Sequence, residues 1–179
     1  MPFSFNAPSR WKNSDNGRVF DFIYYDIWPQ NRDEQGVKAK EYKLFGGLFS
    51  QPANGDVSWE IIEDKQTNNK TAILHLIDTH PQKSGLGGFL IFIFATYAVR
   101  AQCKKCQIPM PNPDEHNFYL HMGFEYDPEF QKSLLAAAAQ NGDGLLFDDL
   151  NRKSPMIGNP ERIKLKSQIS AAKRWHVQS

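Results

Sequence analysis

The sequence predicts an α/β (α+β) fold in which a central mixed sheet is flanked by helices. Runs rich in β-branched and aromatic residues alternate with stretches of helical spacing. Two β-rich runs separated by a turn precede a long apolar helix, and a short strand follows that helix. A chain of 179 residues can bury one substantial core, so we expect a single domain.

The charge balance argues against a protein that binds polyanions. Lys and Arg total 21 against 20 Asp and Glu, so the formal charge is +1 and no global field recruits nucleic acid or an anionic membrane. Basic residues from Arg162 to Arg174 are typical of the solvated face of a helix. The sequence does not open with a basic segment followed by an apolar run, so we expect no secretory signal and a cytoplasmic protein.

The first third of the chain predicts one strand and one weak helix. Aromatic and β-branched residues dominate both alternating faces from Arg18 to Trp28, which indicates a strand that stops at Pro29. From Gln30 to Phe45 the charges are dense and a few apolar residues have helical spacing, which predicts a weak amphipathic helix.

The next two runs predict a β-hairpin. Residues 56–64 and 70–80 are β-rich, and Asn68 in the segment between them suits the positive φ angles of a tight turn. Strict alternation in the second run predicts two faces. Ala72, Leu74, Leu76 and Asp78 form one face, and Ile73, His75, Ile77 and Thr79 form the other.

The stretch from Pro81 to Arg100 combines three glycines with a long apolar run. Its uncharged part is too short for a membrane span of about 20 residues, and Lys83 and Arg100 bracket it closely. A buried strand fits the apolar core of the run, but the helix formers that continue beyond it without a turn signal favour a buried helix. The glycines before the helix can cradle a phosphate on unpaired N–H groups, or can serve as packing points.

The rest of the chain predicts a short strand and three helices. The strand covers 104–110, and the first helix is capped by Asn112 and stopped by Gly123. Helices follow over 129–144 and 159–176. We expect the apolar face of the last helix to consist of Ile163, Leu165, Ile169 and Ala172.

Cysteine and histidine spacing do not indicate a metal site. Cys103 and Cys106 form one CxxC pair without a second pair, whereas a zinc site needs about four ligands. The histidine pairs are five residues apart, which does not place two imidazoles on one helical face. We therefore expect two reduced thiols and no bound metal.

Two motifs resemble the GNAT superfamily of N-acetyltransferases. The run from Gln82 to Gly87 is similar to the family's Gln/Arg-x-x-Gly-x-Gly/Ala loop, and it lies between a strand and a long helix as in that family. The run from Asn112 to Phe124 is similar to the Asn-x6-Tyr-x3-Gly-Phe signature. Glu115 departs from the alanine often found there, and a helix-like run replaces the two antiparallel strands that usually end the family's fold.

The resemblance implies direct transfer of an acetyl group from acetyl-CoA to a primary amine of a small molecule or peptide. Tyr119 holds the position of the acid that protonates the departing thiolate, and we select His75 as the base among Glu60, Glu63, His75 and Asp78. The resemblance assigns acyl-CoA binding to Leu76, Ile77, Asp78, Gln82, Lys83, Ser84, Gly85, Leu86, Gly87, Gly88 and Asn112.

The acceptor pocket is expected at the hairpin and at the segment that precedes it. Its aromatic and acidic residues suit a cationic amine. The expected substrate contacts are Tyr24, Trp28, Glu34 and Trp59.

We divide the chain into a GNAT-like core at 1–127 and a helical C-terminal extension at 128–179, packed on the same domain. Two alternatives stay open: a non-catalytic module that binds CoA or a protein, and an unrelated α/β domain whose glycines only pack. A homodimer is compatible with the sequence.

Overall fold

A computed structural model describes residues 9–27, 34–41, 55–80, 85–142, 144 and 147–177. In this part of the chain, five strands come first, and helices and further strands of the same sheet follow. The strands are β1 (Ser9–Asn13), β2 (Val19–Ile27), β3 (Glu34–Glu41), β4 (Gly55–Asp64), β5 (Asn69–Thr79), β6 (Lys105–Ile108), β7 (Glu125–Tyr126), β8 (Met156–Gly158) and β9 (Trp175–Val177). The helices are α1 (Leu86–Arg100), α2 (His116–Met122), α3 (Pro128–Asn141), α4 (Phe147–Lys153) and α5 (Pro160–Ala172), and a 3₁₀ turn (Pro113–Glu115) leads into α2.

The sheet is mixed, as the sequence predicts. Its spatial order is β7-β8-β6-β5-β4-β3-β2-β1-β9. The described neighbours pair antiparallel, except β5 and β6, which are parallel and are joined through α1. A parallel pair needs such a crossover because the chain must return to the same end of the sheet. The α/β fold class is therefore confirmed.

The predicted hairpin is confirmed as β4 and β5. Asn68 adopts a φ of 54° in the turn between them. The Asp64 carboxylate accepts hydrogen bonds from the Gln66 N–H at 2.8 Å and the Thr67 hydroxyl at 2.9 Å. These hydrogen bonds, that from Gln66 foremost, lower the pKa of the Asp64 carboxyl. Local polar contacts thus stabilise the turn that sets the hairpin register.

The predicted helix over 30–45 is wrong where the structure describes it. Glu34–Glu41 forms β3, which pairs with β2 on one side and β4 on the other. Val37 and Ala39 are fully buried, which is the period-two pattern of a strand. Pairing along both edges of β3 outweighs the weak helical spacing, because the neighbouring strands β2 and β4 satisfy its backbone N–H and C=O groups.

The strict alternation predicted for β5 is wrong beyond Leu74. Ser58 pairs with Leu76 and Trp59 pairs with Leu74, so His75 has no residue opposite it and forms a β-bulge. The extra residue shifts the alternation. Ile77 packs against the core, whereas Leu76 is 45% exposed.

Helix α1 is the centre of the core, as predicted from its apolar run. Its side chains from Phe89 to Ala95 are buried between the sheet and α5. The Phe89 ring lies 4.7 Å from Phe22 and 5.1 Å from Trp175 between ring centroids. A helix that is apolar on all sides is stable only when it is covered in this way.

Residues after 127 contribute both helices and strands. β8 lies between β7 and β6, and β9 pairs with β1 at the opposite edge. These two strands, each three residues long, were not predicted. The division of the chain near residue 127 stays a prediction.

The predicted apolar face of α5 is wrong in part. Leu165 and Ile169 are 58% and 52% exposed, whereas Ile163, Ser167 and Ala171 are buried. Small side chains let α5 approach α1 closely. The Ser167 hydroxyl donates to the Ile163 carbonyl at 2.6 Å, so its burial leaves no unsatisfied donor.

Candidate functional site

β6 pairs with only the first part of β5. β5 pairs with β6 from Thr71 to Ile73, but β5 continues to Thr79. Beyond Ile73, the described residues place no β6 partner along that edge. The edge offers backbone N–H and C=O groups to an extended ligand. The predicted contacts Leu76 to Asp78 lie on this part of β5.

Gly85 leads directly into α1. Gly85 is the N-cap, with a φ of 79° in the left-handed region, and no side chain caps this helix terminus. The first N–H groups of α1 lie at the positive end of the helix dipole, which favours an anion. The predicted contacts Gln82, Lys83 and Ser84 fall outside the described residues.

Gly87 marks the point where three elements meet. A Cβ placed there lies 3.3 Å from Phe118 Cζ on α2 and 3.9 Å from Thr79 Cγ2 at the end of β5. Gly87 itself belongs to the first turn of α1. A side chain at this position fills the space between the glycine loop, the uncovered strand edge and α2. The structure thus brings the two motifs of the sequence together.

Tyr119 lies on α2 directly after Phe118. Its side chain is 3% exposed, and its hydroxyl donates to Glu115 Oε2 at 3.0 Å. Burial, followed by the charge of Glu115 and its hydrogen bond, raises the pKa of Tyr119 well above its ordinary value. The phenol is therefore protonated at neutral pH, and its proton is directed to Glu115.

Asn112 has a local structural partner. Its side-chain oxygen accepts a hydrogen bond from the Asp114 N–H at 3.2 Å and caps the 3₁₀ turn before α2, as predicted. Gly123 ends α2 in the left-handed region with a φ of 103°, which is also as predicted. These two residues fix the ends of the segment that carries Tyr119.

His75 and Glu60 form a pair on neighbouring strands. The distance from His75 Nε2 to Glu60 Oε1 is 3.0 Å, and their side chains are 25% and 14% exposed. The carboxylate can orient the imidazole. The sequence predicts both residues as separate candidates. The bulge at His75, which has no sequence signal of its own, accompanies their pairing.

The predicted acceptor contacts are only partly described. Tyr24 pairs with Val37 across β2 and β3, and Glu34 pairs with Glu60 across β3 and β4. Glu34 therefore lies opposite a member of the His75 pair in strand register. Trp28 falls outside the described residues.

Trp59 requires a correction. Its side chain is fully buried, with its ring centroid 6.1 Å from that of Phe94 and 5.2 Å from that of Tyr97 on α1. Trp59 is buried because it lies on the face of the sheet that α1 covers. The prediction that Trp59 contacts substrate is wrong, and this side chain belongs to the core.

Arg174 is a basic residue at the site that sequence analysis did not identify. Its Nη1 lies 3.0 Å from the position that a Cβ would have at Gly85. The sequence shows Arg174 only as one of several basic residues near the end of α5. Its place beside the glycine loop depends on the packing of α5 against α1 and on the pairing of β9 with β1.

The thiols and other metal-ligating groups do not form a cluster in the described ranges. No group of three His, Cys, Asp or Glu side chains there is placed to hold a metal ion. Cys103 and Cys106 are free and buried, and burial raises the pKa of both thiols. Among the helices of the same ranges, none is long and apolar enough to cross a membrane.

The described strands form a mixed sheet with a crossover through α1, which is an α/β fold. No protein-family model matches the chain, and no curated protein matches it. Several solved structures are similar to it. One is a ribosomal-protein-alanine N-acetyltransferase from Brucella melitensis biovar Abortus 2308, at 18% identity and a TM-score of 0.38, covering 51% of this chain and 62% of that one.

Two further structures extend the comparison. An N-acetylglutamate synthase from Neisseria gonorrhoeae, complexed with coenzyme A and N-acetyl-glutamate, is 9% identical at a TM-score of 0.43 and covers 69% of this chain and 25% of that one. FeeM, an N-acyl amino acid synthase from uncultured soil microbes, is 9% identical at a TM-score of 0.48 and covers 84% of this chain and 97% of that one. The chain thus spans less than two thirds of the first two structures.

Proposed function

We propose that the protein is an N-acetyltransferase that moves an acetyl group from acetyl-CoA to a primary amine by direct attack. One observation carries the proposal. At Gly87, the uncovered edge of β5, the glycine start of α1 and the helix that bears Tyr119 come together. This is the junction that the two GNAT-like motifs require if they act as one site.

The residues present fit acyl-CoA in two respects. Gly85 adopts the left-handed region and Gly87 carries no side chain in the first turn of α1, whose unpaired N–H groups suit a diphosphate. The β5 edge from Leu76 to Asp78 offers main-chain groups to a pantetheine chain, as an additional strand would. When bound, acetyl-CoA supplies an activated acyl thioester.

Two pairs of side chains provide the proton transfers that the reaction needs. The His75 imidazole, oriented by Glu60, accepts a proton from the incoming ammonium. We assign the protonation of the departing thiolate to the Tyr119 hydroxyl, which must first leave its hydrogen bond to Glu115 Oε2. Neither step needs a covalent bond between the protein and the acyl group.

The acceptor side supports a cationic amine, either a small molecule or a peptide. Glu34 lies opposite Glu60, the partner of His75, in strand register. Carboxylates hold an ammonium near a base, and the aromatic residues predicted at Tyr24 and Trp28 add favourable faces for a cation. Alanine at Trp28 or Glu34 is expected to raise the KM for the amine and leave the KM for acetyl-CoA unchanged.

The first experiment measures CoA binding by thermal unfolding. Acetyl-CoA at 100 times its dissociation constant is expected to stabilise the folded protein by about 2.7 kcal/mol, because only the folded state carries the site. Gly87→Glu fills the junction and places a negative charge there, so this variant is expected to lose the shift. Gly144→Glu is the matched control, because an added Cβ at Gly144 meets nothing within 4 Å.

The second experiment measures turnover. Thiol release from acetyl-CoA is followed over a panel of amines, with the wild-type protein and with His75→Gln. Amine-dependent release that His75→Gln lowers supports the proposal. Binding of acetyl-CoA without release from any amine class contradicts the enzymatic part of it.

One observation favours a second candidate function, a non-catalytic CoA-binding module. The Tyr119 hydroxyl is already engaged by Glu115 in a buried hydrogen bond, which is also what a purely structural tyrosine would make. Such a module binds CoA with wild-type affinity after Tyr119→Phe and releases no thiol with any amine.

The proposal includes a cytoplasmic location, which cell fractionation tests, and does not assign a nucleic-acid partner. Light scattering on the purified chain decides between a monomer and a homodimer.

A further inference from the structure

Arg174 is held beside the glycine loop by contacts that do not involve α1. Its backbone carbonyl accepts hydrogen bonds from the Ser14 N–H at 2.7 Å and the Ser14 hydroxyl at 2.9 Å. Its Nε lies 3.2 Å from Asp15 Oδ2. The turn between β1 and β2 therefore anchors Arg174 from both its backbone and its side chain, at the point where α5 ends and β9 begins.

Two nitrogens of the Arg174 guanidinium have different neighbours. Nε is directed to Asp15, whereas Nη1 lies 3.0 Å from the position of a Cβ at Gly85, and Cδ lies 3.3 Å from it. Arg174 thus covers the residue that starts α1. Its full charge and the partial positive charge of the helix terminus are adjacent, so a negative group at the loop interacts with both.

We propose that Arg174 binds the 5′-diphosphate of coenzyme A at the start of α1. The inference rests on the proposed function and adds to it a cofactor-binding residue from the C-terminal part of the chain. A planar guanidinium with several N–H donors matches phosphate oxygens. Arg174 needs little further ordering to bind them, because Ser14 and Asp15 already hold it.

The test compares Arg174→Gln with Arg162→Gln. Arg162 is a matched control, since it is an exposed arginine of α5 that forms an ion pair with Glu125 at 3.5 Å. Dissociation constants of CoA and of 3′-dephospho-CoA are measured by titration calorimetry on the full chain. We expect Arg174→Gln to weaken binding of both ligands about tenfold, as loss of one charge-assisted hydrogen bond does, and Arg162→Gln to change neither.

Two further variants separate binding from folding. Arg174→Lys retains the charge and is expected to recover part of the affinity, while Asp15→Asn removes the ion pair that orders Arg174 and is expected to weaken binding of both ligands. Melting temperatures are recorded for each variant without ligand. A tenfold loss of affinity at an unchanged melting temperature supports the inference.

Several results overturn it. The inference is overturned if Arg174→Gln binds CoA with unchanged affinity. It is also overturned if Arg162→Gln loses as much affinity as Arg174→Gln. Weakening that appears with CoA and disappears with 3′-dephospho-CoA places the contact at the 3′-phosphate and also overturns it. A drop in melting temperature with no recovery in Arg174→Lys assigns the residue a structural role. If the wild-type chain binds neither ligand, the proposed function itself fails.

Discussion

At the scale of single residues, a substitution at Tyr119 distinguishes a catalytic role of its hydroxyl from packing of its ring. Its ring contacts Phe118 and Phe124, with centroids 5.3 Å and 5.9 Å away, and its hydroxyl contacts Glu115. Tyr119→Phe keeps the ring and removes the proton donor. We expect kcat to fall about 100-fold with little change in the KM for acetyl-CoA, because general-acid catalysis contributes about that much. Steady-state kinetics over a range of acetyl-CoA concentrations measures both constants.

The matched control for Tyr119→Phe is Tyr126→Phe, which removes a phenolic hydroxyl that contacts His116. That variant is expected to retain kcat within a few-fold. Equal kcat values for wild type and Tyr119→Phe would remove the acid role from Tyr119.

The raised pKa of Tyr119 also predicts how stability depends on pH. The folded state holds the phenolic proton more tightly than the unfolded state, whose pKa is near the ordinary value of 10.0. The stabilisation is complete below pH 10 and is lost as the pH rises from there through the folded-state pKa. Denaturant unfolding at pH 8 and pH 10.5 should therefore show a larger loss of stability for wild type than for Tyr119→Phe. Equal losses in the two proteins contradict the assignment.

At the scale of elements, the start of α1 depends on a left-handed residue. Gly85→Ala puts a Cβ on a residue with a φ of 79°, 3.0 Å from Arg174 Nη1. We expect the free energy of unfolding to fall by about 1–2 kcal/mol from the backbone strain, with an added loss of CoA affinity. Chemical denaturation and calorimetry measure the two effects.

Gly17→Ala is the control for Gly85→Ala. Gly17 has a similar φ of 71°, but an added Cβ there meets nothing within 4 Å. This variant is expected to show the same strain and normal CoA affinity. Equal affinities in the two variants would mean that the loop conformation at Gly85 is not needed for binding.

The sequence predicts those elements whose signals are local and strong. The hairpin turn and the caps of α2 involve residues a few positions apart, so Asn68, Asn112 and Gly123 predict them directly. β3 was mistaken for a helix because its charges mask an alternation that only the pairing with β2 and β4 establishes. β8 and β9 are too short to carry a period, and their neighbours in the sheet define them.

The candidate site was predictable only as far as its motifs extend. The glycine loop and the Asn-to-Phe signature identified Gly87 and Tyr119, but not the distance between their helices. The bulge at His75 leaves no trace in composition, so the pair with Glu60 could not be predicted. Arg174 reaches the loop through tertiary packing alone.

At the scale of the whole molecule, Trp175 tests whether residues after 127 unfold with the rest. Its side chain is 1% exposed and lies against Phe20, Phe22 and Phe89. Trp175→Ala is expected to reduce the free energy of unfolding by about 3–5 kcal/mol, because it opens a cavity in the shared core. A single cooperative transition should remain in denaturant.

Val177→Ala in the same strand is the control for Trp175→Ala. Its side chain is 63% exposed, so we expect a change within about 0.5 kcal/mol. Two separate transitions, or an undiminished stability in Trp175→Ala, would indicate that the segment after 127 folds independently of the core.

The pairing of β1 with β9 has a consequence for synthesis on the ribosome. Ser14 Oγ and His176 Nε2 lie 3.2 Å apart, although the two residues are separated by 162 positions in the sequence. β1 can pair with β2 early, but its second edge stays open until β9 has left the exit tunnel. Contacts between such distant segments slow folding and leave an edge exposed to other nascent chains. The sheet is therefore completed late in folding, and Arg174 reaches its place beside Gly85 only at that stage.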